Sequence, residues 1–367
     1  MKNYTKTYNQ LNFEFIYIIT DFILSKIFKC LSRVCCKLYD IVIVGCGFIG
    51  STLAKFFSEK LKVTTMDVIP QPESLKDYGI PHKIVDIRNN ELLKKEIGNP
   101  KVIINTAIIQ IPKITEDKKL GYGVNVLGTQ NLCEIVSSTP EILGMILISS
   151  WHTYGERELN GILKEDIGYR PDNVEDRSKL YALSKTIQEC IVRFFDEKEV
   201  GKIFGAIKIG TALGENMPKG TAANVFIEKA LSGEPITPFK HSMNRPMFYV
   251  SVNDICKTIE KFISYIISKN PQSSNSIDHI MNLAYPDPIS ILDLAHIVQK
   301  SVQNLSDGEI NPKVSIIDKS IPEIGDPDDK NKIHLDISKI KNYLEINSLE
   351  KPEETINKLV KYRMNKK

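Results

Sequence analysis

Between residues 39 and 210, short apolar runs alternate with amphipathic helical segments, and this alternation constrains the fold more than any other feature. The runs are almost continuously apolar, which is typical of parallel strands buried on both faces. Helices between such strands cover both faces of one sheet, so the pattern predicts a doubly wound α/β domain. The predicted strands are 39–44, 62–67, 82–86, 101–105, 144–149 and 203–209, and the predicted helices are 50–60, 89–97, 122–138 and 178–197.

The regular alternation ends near residue 210. Proline and glycine become more frequent, which predicts a smaller mixed α/β region that would bind the substrate. We therefore divide the chain into an N-terminal extension at 1–37, a doubly wound domain at 38–210 and a substrate-binding region at 211–367, with the chain free to cross back between the last two. The helices predicted in this region are 221–232, 253–268, 290–304 and 352–364.

The N-terminal extension contains a segment, 11–31, that is rich in Ile and Phe. Acidic side chains interrupt it, so no apolar run is long enough to span a bilayer. Its polar residues fall on one helical face, which predicts an amphipathic helix. Three interpretations stay open: packing on the domain or a partner, contact with a membrane surface, or an extension with no defined role. No small-residue cleavage site follows, so we expect no secretory signal.

Charge and cysteine content narrow the function classes. The net charge of +3 on 367 residues gives no argument for a nucleic-acid partner. The seven cysteines are scattered, with no Cys-X-X-Cys and no Cys/His spacing typical of zinc sites. We therefore expect no metal and a cytoplasmic protein with reduced thiols.

Residues 39–57 read YDIVIVGCGFIGSTLAKFF, a predicted strand followed by Gly-X-Gly-X-X-Gly and a predicted helix. Gly45 permits the turn, Gly47 allows a diphosphate to approach, and Gly50 allows the helix to pack on the strand. Asp67 ends the next strand, where its carboxylate could accept the adenosine ribose hydroxyls and would repel a 2′-phosphate. The pattern favours NAD over NADP, against the alternatives of a tight turn and a strand-end residue.

Tyr181 and Lys185 are four residues apart in the predicted helix at 178–197, so they share a face. A neighbouring ammonium would lower the pKa of a tyrosine and make it usable as a base near neutrality. On its own, Tyr-X-X-X-Lys is more often surface chemistry. Ser150 follows a buried strand at the edge where ligands bind in such sheets, and we expect it to hydrogen-bond the reacting oxygen.

From about residue 38 to its C-terminus, the chain resembles the extended short-chain dehydrogenase/reductase superfamily, in its NAD-dependent nucleotide-sugar epimerase/dehydratase branch of the UDP-glucose 4-epimerase type. The resemblance is carried by GFIG (47–50), Asp67, VDIR (85–88), NTA (105–107), NVLGTQNL (125–132), SSWHTYG (149–155), YALSK (181–185) and MNLAYPDPISILDLA (281–295). It implies a Rossmann-like fold and a homodimer that forms through the helices at 122–138 and 178–197. It implies a catalytic set of Ser150, Tyr181 and Lys185, and cofactor contacts from Gly45, Gly47, Phe48, Ile49, Gly50, Asp67, Asp86, Ile87, Asn105, Thr106, Ala107, Asn125 and Lys185.

The chain departs from the family pattern in its substrate half and in the glycine loop. Val44 stands where the family has its first glycine, and Thr211 replaces the usual asparagine after Ile207-Lys208. The arginine that binds the substrate phosphate in the family corresponds here to Arg245, placed two residues early. We expect Ser150, Tyr181, Thr211 and Arg245 to contact the substrate, with a structural ion pair as the alternative for Arg245.

The residues after Ser150 narrow the reaction. Dehydratases of this branch carry an Asp-Glu pair there, but this chain has Trp151 and His152. The resemblance therefore implies 4-epimerisation of a nucleotide sugar through a transient 4-keto sugar, with Tyr181 as acid/base. Two alternatives remain: a dehydrogenase, reductase or synthase of the same superfamily, and a non-catalytic NAD-sensing protein. His152 could replace the missing acid, but a turn histidine on the site wall is the simpler interpretation.

Overall fold

The computed structural model describes residues 40–268 and 279–366, so the amphipathic segment at 11–31 lies outside the described residues. The described strands are β1 Asp40–Val44, β2 Lys62–Asp67, β3 His82–Ile84, β4 Val102–Asn105, β5 Gly144–Ser150, β6 Gly161–Leu163, β7 Ile203–Ile209, β8 Thr211–Leu213, β9 Pro246–Met247, β10 Tyr249–Ser251, β11 Ile280–Leu283, β12 Ile289–Ser290 and β13 Ile333–Leu335. The described α-helices are α1 Phe48–Ser58, α2 Glu73–Lys76, α3 Asn90–Ile97, α4 Lys113–Glu116, α5 Lys118–Tyr122, α6 Gly128–Ser138, α7 Lys179–Lys198, α8 Ala222–Leu231, α9 Val252–Ser268, α10 Ile291–Leu305, α11 Ser338–Leu344 and α12 Pro352–Met364.

One parallel sheet organises the molecule, with strand order β11-β7-β5-β4-β1-β2-β3. The order changes direction at β1, whose neighbours are β2 and β4. This reversal is the signature of a doubly wound sheet, and it opens a crevice at the carboxyl ends of the two central strands. The six predicted strands all belong to this sheet, so the prediction of a Rossmann-like α/β fold is confirmed.

The seventh strand comes from the C-terminal half. β11 pairs in parallel with β7, placing Ile280 opposite Ala206. The chain therefore leaves the sheet after β7, builds β8 to α9, and returns to the sheet edge before forming α10 to α12. The smaller strand pairs β8–β10, β9–β12 and β6–β13 lie outside the main sheet.

Side chains of the central strands alternate between two apolar cores. Ile41 and Ile43 on β1 face one core, and Val42 and Val44 face the other. All four are almost completely buried, as expected for a strand covered by helices on both faces. Leu53 and Phe57 of α1 complete the first core, in which each fully buried side chain of this size contributes about 1.5–3 kcal/mol. Within the described ranges, no helix has the length and apolar content needed to cross a membrane.

Candidate active site

The glycine loop between β1 and α1 packs against the end of β4 so closely that two of its glycines have no room for a side chain. Gly45 has φ +94°, and a Cβ there would lie 2.6 Å from the Ala107 nitrogen. A Cβ on Gly50 would lie 1.8 Å from the Gly45 oxygen, far inside van der Waals contact. Gly47 differs, because no atom lies within 4 Å of the position that its Cβ would take. The loop is thus packed at both ends and open at its middle glycine.

The open middle of the loop coincides with a helix N-terminus. Gly47 is the N-cap of α1, and no side chain caps the helix there. Its first N–H groups and the helix dipole are therefore available for an anion. A cavity of 550 Å³ borders the loop, with Gly47, Phe48 and Ser51 in its wall. Phe48 and Ile49 begin the helix and are half-buried.

Asp67 ends β2 beside the same loop. Its Oδ2 accepts a hydrogen bond from the Cys46 backbone N–H at 2.5 Å, and its Oδ1 accepts one from the Val68 N–H at 2.7 Å. The carboxylate is half-buried and is held by the backbone. A fixed anion at this strand end fits an adenosine ribose and opposes a 2′-phosphate, which is the arrangement that the sequence predicts for NAD.

The carboxyl end of β4 is tied to the glycine loop and to α6. Asn105 accepts a hydrogen bond from the Ala107 N–H at 3.1 Å and donates one to Thr129 Oγ1 at 3.2 Å. Thr106 donates from Oγ1 to the Gly45 carbonyl at 2.7 Å. These bonds fix the distance between the end of β4 and the glycine loop. A dinucleotide would bind against the surface that the two form together.

Asn125 lies in a short π-helix, Gly123–Leu127, between α5 and α6. Its side chain accepts from the Ile109 N–H at 2.7 Å and donates to Ser184 Oγ at 3.0 Å. Because Ser184 precedes Lys185 on α7, Asn125 connects the loop after β4 to the helix that carries the predicted catalytic pair. It therefore supports the site through other residues.

Asp86 and Ile87 form the turn after β3. Asp86 pairs with Arg88 at 2.5 Å, and this hydrogen bond lowers the pKa of its carboxyl although burial raises it. Ile87 is buried against Gly128 at the start of α6, where a Cβ would lie 2.3 Å from its Cδ1. The turn thus lies at the same sheet edge as Asp67.

Ser150 and Tyr181 meet where β5 ends. Ser150 is buried at the last position of the strand, and its hydroxyl lies near the Tyr181 phenol, where it favours the ionised form of that group. Burial raises the pKa of Tyr181, and the Ser150 hydroxyl only partly lowers it. The structure therefore brings together the serine and the tyrosine that the sequence predicts.

Lys185 is buried one helical turn from Tyr181, and its Nζ donates to the Ile148 carbonyl at 2.6 Å. Burial lowers the pKa of Lys185 to about 7, although the nearby Glu189 raises it. In this structure burial has the largest effect on the Tyr181 pKa, and the expectation that Lys185 lowers it stays a prediction. Burial dominates both groups, while the amine is bonded to the main chain of β5.

His152 lies in a 3₁₀ turn, Trp151–Tyr154, directly after Ser150. Its Nδ1 is 2.9 Å from Ser150 Oγ, and its Nε2 is 2.9 Å from Oε1 of the buried Glu156. The imidazole ring also makes an edge-to-face contact with Tyr181, at 6.0 Å between ring centroids. Trp151 is fully buried against Phe248. His152 is thus built into the site rather than exposed on its wall.

Arg245 lies just before β9 and makes two ion pairs. Its Nη1 is 2.5 Å from Glu175 and 3.4 Å from Glu156. All three side chains line a cavity of 1030 Å³ between the loops after β5 and the C-terminal region. The alternative of a structural ion pair is therefore present, on the wall of a cavity large enough for a small-molecule ligand. Thr211 lies apart from these ion pairs, half-buried at the start of β8 opposite Tyr249.

Sequence reasoning missed the buried carboxylates behind the site. Glu189 lies one helical turn after Lys185, so its i,i+4 spacing was a usable signal, whereas Glu156 follows the 3₁₀ turn on an irregular segment. Glu189 accepts from Ser149 and pairs with Lys208 at 3.0 Å, with both charged side chains completely buried. No spacing rule predicts Glu175 or its contact with Arg245, because the loop that carries it is irregular.

Taken together, the residues present fit a dinucleotide at the glycine loop and a reacting hydroxyl at Ser150 and Tyr181. In the described part of the chain, no group of His, Cys, Asp and Glu side chains has the arrangement of a metal site. The acid/base groups near Ser150 are a phenol, an imidazole and a glutamate.

Comparison with known proteins agrees with this geometry. Residues 41–275, more than half of the chain, match the model of the NAD dependent epimerase/dehydratase family. UDP-glucose 4-epimerase from Mycoplasma genitalium is 28% identical over 163 residues, 41% of this chain and 46% of that protein. The chain thus spans about half the length of the curated relative that it matches.

Solved structures share the fold at low identity. UDP-glucuronic acid 4-epimerase from Bacillus cereus, in complex with UDP-glucuronic acid and NAD, has a TM-score of 0.69 at 19% identity and covers 89% of this chain and 100% of its own. dTDP-glucose 4,6-dehydratase from Bacillus anthracis, in complex with NAD, has a TM-score of 0.68 at 19% identity, covering 89% and 96%. Because an epimerase and a dehydratase have nearly the same TM-score with this chain, the fold alone does not distinguish the two reactions.

Proposed function

The chain belongs to the NAD dependent epimerase/dehydratase family, whose cofactor is NAD, and on this basis we propose that it is a nucleotide-sugar 4-epimerase. The observation that carries the proposal is the meeting of Ser150 and Tyr181 at the end of β5, with Lys185 one helical turn away. A transient 4-keto sugar needs only a base for the 4-hydroxyl and a hydride acceptor, and this set supplies the base.

The cofactor would lie along the carboxyl edge of the sheet. The N–H groups at Gly47 would hold its diphosphate and Asp67 its adenosine ribose, because the loop is open there and the carboxylate is fixed. When bound, NAD supplies a hydride acceptor that can return the hydride to the same carbon. By family resemblance, Lys185 would hold the nicotinamide ribose. An ammonium has three N–H donors, so its bond to Ile148 leaves two for that contact.

Tyr181 acts as the acid/base in this proposal. Its phenol oxygen takes the proton of the sugar 4-hydroxyl and returns it after the sugar has turned over. Ser150 hydrogen-bonds the same hydroxyl and keeps it in line with the phenol. Both side chains are held by regular elements, β5 and α7, which limits their movement during the two proton transfers.

The acid/base groups after Ser150 support epimerisation over elimination. Trp151 is buried in the core and carries no acid. Burial raises the pKa of Glu156, but the contact with His152 and the charge of Arg245 outweigh it and lower the pKa to about 2. A carboxylate ionised at every working pH cannot protonate a leaving hydroxyl.

We also propose Thr211 and Arg245 as substrate contacts, following the family resemblance. Arg245 lines the 1030 Å³ cavity, and a guanidinium suits a diphosphate. Its Nη1 is already shared by Glu156 and Glu175, so the diphosphate would bind at the remaining donors or displace one carboxylate.

The proposal further includes a cytoplasmic homodimer. The described cysteines Cys46, Cys133, Cys190 and Cys256 are all free, in keeping with a reducing compartment. The family resemblance implies a dimer through the helices α6 and α7. Three exposed apolar side chains lie there: Leu127 just before α6, and Leu183 and Phe194 on α7. Exposed apolar side chains of this size are a feature of subunit interfaces.

The test is a screen of nucleotide sugars with the purified protein and NAD, with products separated and identified by NMR. We expect one sugar to yield its 4-epimer with no net change in the absorbance of the added NAD. A 4-keto-6-deoxy product without any epimer would overturn the proposal. A stoichiometric absorbance change would instead show a net dehydrogenase or reductase.

Tyr181→Phe tests the catalytic assignment. We expect a fall in kcat of about 10²–10⁴-fold, because the acid/base is removed while the ring stays. Tyr343→Phe is the matched control: Tyr343 lies on α11, is exposed, and contacts Tyr265 through its ring, which the phenylalanine keeps. Unchanged activity in Tyr181→Phe would contradict the role of Tyr181 and favour the alternative of a non-catalytic NAD-binding protein.

A further inference from the structure

Two polar side chains neighbour Ser150 Oγ, and only one of them belongs to the reaction described above. One is the Tyr181 phenol. The other is His152 Nδ1, at 2.9 Å. The serine hydroxyl therefore lies between the phenol and the imidazole, whose rings are also in edge contact, and it can pass a proton from one to the other.

The far side of the imidazole is anchored to a buried carboxylate. His152 Nε2 is 2.9 Å from Oε1 of Glu156, whose side chain is 1% exposed. The other oxygen, Oε2, takes the Glu175 N–H and Arg245 Nη1, each at 3.4 Å. Oε1 makes no hydrogen bond of good geometry with any described residue, and its 2.9 Å contact with His152 Nε2 is the close polar approach on that side.

These contacts determine the direction of the hydrogen bonds. An ionised carboxylate only accepts, and a neutral imidazole carries a single N–H. Nε2 must therefore hold the hydrogen that faces Glu156, which leaves Nδ1 as an acceptor. The Ser150 hydroxyl then donates to Nδ1, and its oxygen, which accepts the His152 backbone N–H at 3.3 Å, has one lone pair left to accept the Tyr181 O–H. From Tyr181 through Ser150 and His152 to Glu156, each side chain thus donates its hydrogen to the next one, away from the phenol.

A phenolate at Tyr181 needs such a route. Burial raises the pKa of the phenol, and Lys185 is bonded to the Ile148 carbonyl. We propose that His152 accepts the Tyr181 proton through Ser150, and that Glu156 is a positioning residue that holds the imidazole in the required tautomer. The inference deepens the proposed function and rests on Tyr181 being the acid/base.

The step neither gains nor loses a proton overall. The phenol O–H bond breaks as its proton passes to Ser150 Oγ, while the serine proton passes to His152 Nδ1. Phenolate and imidazolium form together, and Glu156 stabilises the imidazolium. The reverse transfer restores both neutral groups, so no proton leaves the site. The arrangement resembles a serine–histidine–carboxylate triad, except that the group to be ionised is the Tyr181 phenol.

The first experiment measures the tautomer and needs no substrate. In ¹⁵N-histidine-labelled protein, the signals of His152 are assigned by their loss in His152→Gln. We expect the Nε2–H tautomer in the wild type. Glu156→Gln offers an amide N–H to Nε2, so we expect a switch to Nδ1–H. An Nδ1–H tautomer in the wild type, or no switch in Glu156→Gln, would overturn the role of Glu156.

The second experiment measures the phenol. Tyr181 is followed by ¹³Cζ NMR across pH, with its signal assigned by Tyr181→Phe. We expect His152→Gln to move the titration to higher pH, because the phenolate loses its imidazolium partner. The charged groups around the imidazole are Glu156 from its own segment, with Arg245 and Glu175 behind it. If Tyr181 titrates at the same pH in His152→Gln as in the wild type, the relay is contradicted, whether or not a substrate is known.

Kinetics complete the test once the sugar is found. His152→Gln and Glu156→Gln should each lower kcat at least about tenfold, with KM and bound NAD close to wild type. Asp287→Asn is the matched control, because Asp287 forms an exposed pair with His334 at 2.8 Å away from the site. Wild-type kcat in both variants would contradict the inference. A wild-type protein that epimerises no sugar would instead refute the proposed function, and the two NMR results would still decide the relay.

Discussion

Gly47 and Gly50 are three residues apart in one loop, yet they serve different physical purposes. Gly50 is required by packing, because its Cβ position is already filled by the Gly45 oxygen and Thr106 Oγ1. Gly47 has free space and is required only if something approaches the loop from outside. The sequence pattern treats both as one motif, whereas the structure separates a folding glycine from a binding glycine.

This difference predicts opposite outcomes for two alanine substitutions. Gly50→Ala should lower the free energy of unfolding by about 1–3 kcal/mol, because a backbone oxygen must move. Gly47→Ala should leave stability close to wild type and weaken NAD binding. Urea unfolding and NAD titration calorimetry measure the two effects. Equal stability loss in both variants would contradict the assignment.

At the same scale, the pKa of Tyr181 shows where residue spacing is insufficient. The Tyr-X-X-X-Lys pattern predicts two side chains on one helical face, and the structure has that arrangement. It cannot predict that Lys185 bonds to Ile148 or that burial lowers the lysine pKa to about 7. Those facts depend on β5, which is distant in sequence.

At the scale of elements, α7 carries three polar residues at intervals of four: the half-buried Tyr181 and the buried Lys185 and Glu189. The last of these pairs with Lys208 on β7, beneath the site. Burial lowers the pKa of Lys208, although the charge of Glu189 raises it. The pair thus joins the catalytic helix to the sheet through two charges that are both removed from water.

Breaking that pair should be costly. Lys208→Met leaves the Glu189 carboxylate buried without its counter-charge, and we expect a loss of about 3–5 kcal/mol in the free energy of unfolding. The double variant Glu189→Gln/Lys208→Met removes both charges and should recover part of that loss. Lys60→Met is the control, because its pair with Glu260 is exposed and is worth about 0–1 kcal/mol. Urea unfolding of the four proteins checks the ranking, and a double variant less stable than Lys208→Met would contradict it.

At the scale of the whole molecule, exposed apolar side chains occur in many segments, and Leu127, Leu183 and Phe194 are the ones on or beside the helices α6 and α7. Leu127 is 51% exposed and Phe194 is 56% exposed, although both belong to segments that pack on the sheet. Burying side chains of this size contributes about 1.5–3 kcal/mol each, which favours association through this face.

Phe194→Glu should therefore convert a dimer to monomers, because an unpaired charge would be buried at the interface. Analytical ultracentrifugation over a range of concentrations measures the shift in dissociation constant, which we expect to be at least about tenfold. Val200→Glu is the matched control, since Val200 is 92% exposed just beyond the end of α7. A wild-type protein that sediments as a monomer would remove the dimer from the proposal.

The strands and most helices could be predicted from sequence because their signals are local. A continuous apolar run such as 101–105 indicates a buried strand, and the glycine pattern indicates the turn that follows β1. β11 was harder to predict, because four residues that return to the sheet from the C-terminal half carry no signal of their destination. Glu156 and Glu175 were harder still, since both lie on irregular segments.

By itself, the sequence determined the fold class, the cofactor and the residues able to act on a hydroxyl, because apolar period, glycine spacing and strand-end carboxylates act over short range. Only the tertiary structure decided which polar groups share a buried site. It bonded Lys185 to the main chain of β5 and placed His152 between Ser150 and Glu156. The physical reason is desolvation: protonation depends on the groups that burial brings together, and those come from segments that are far apart in the chain.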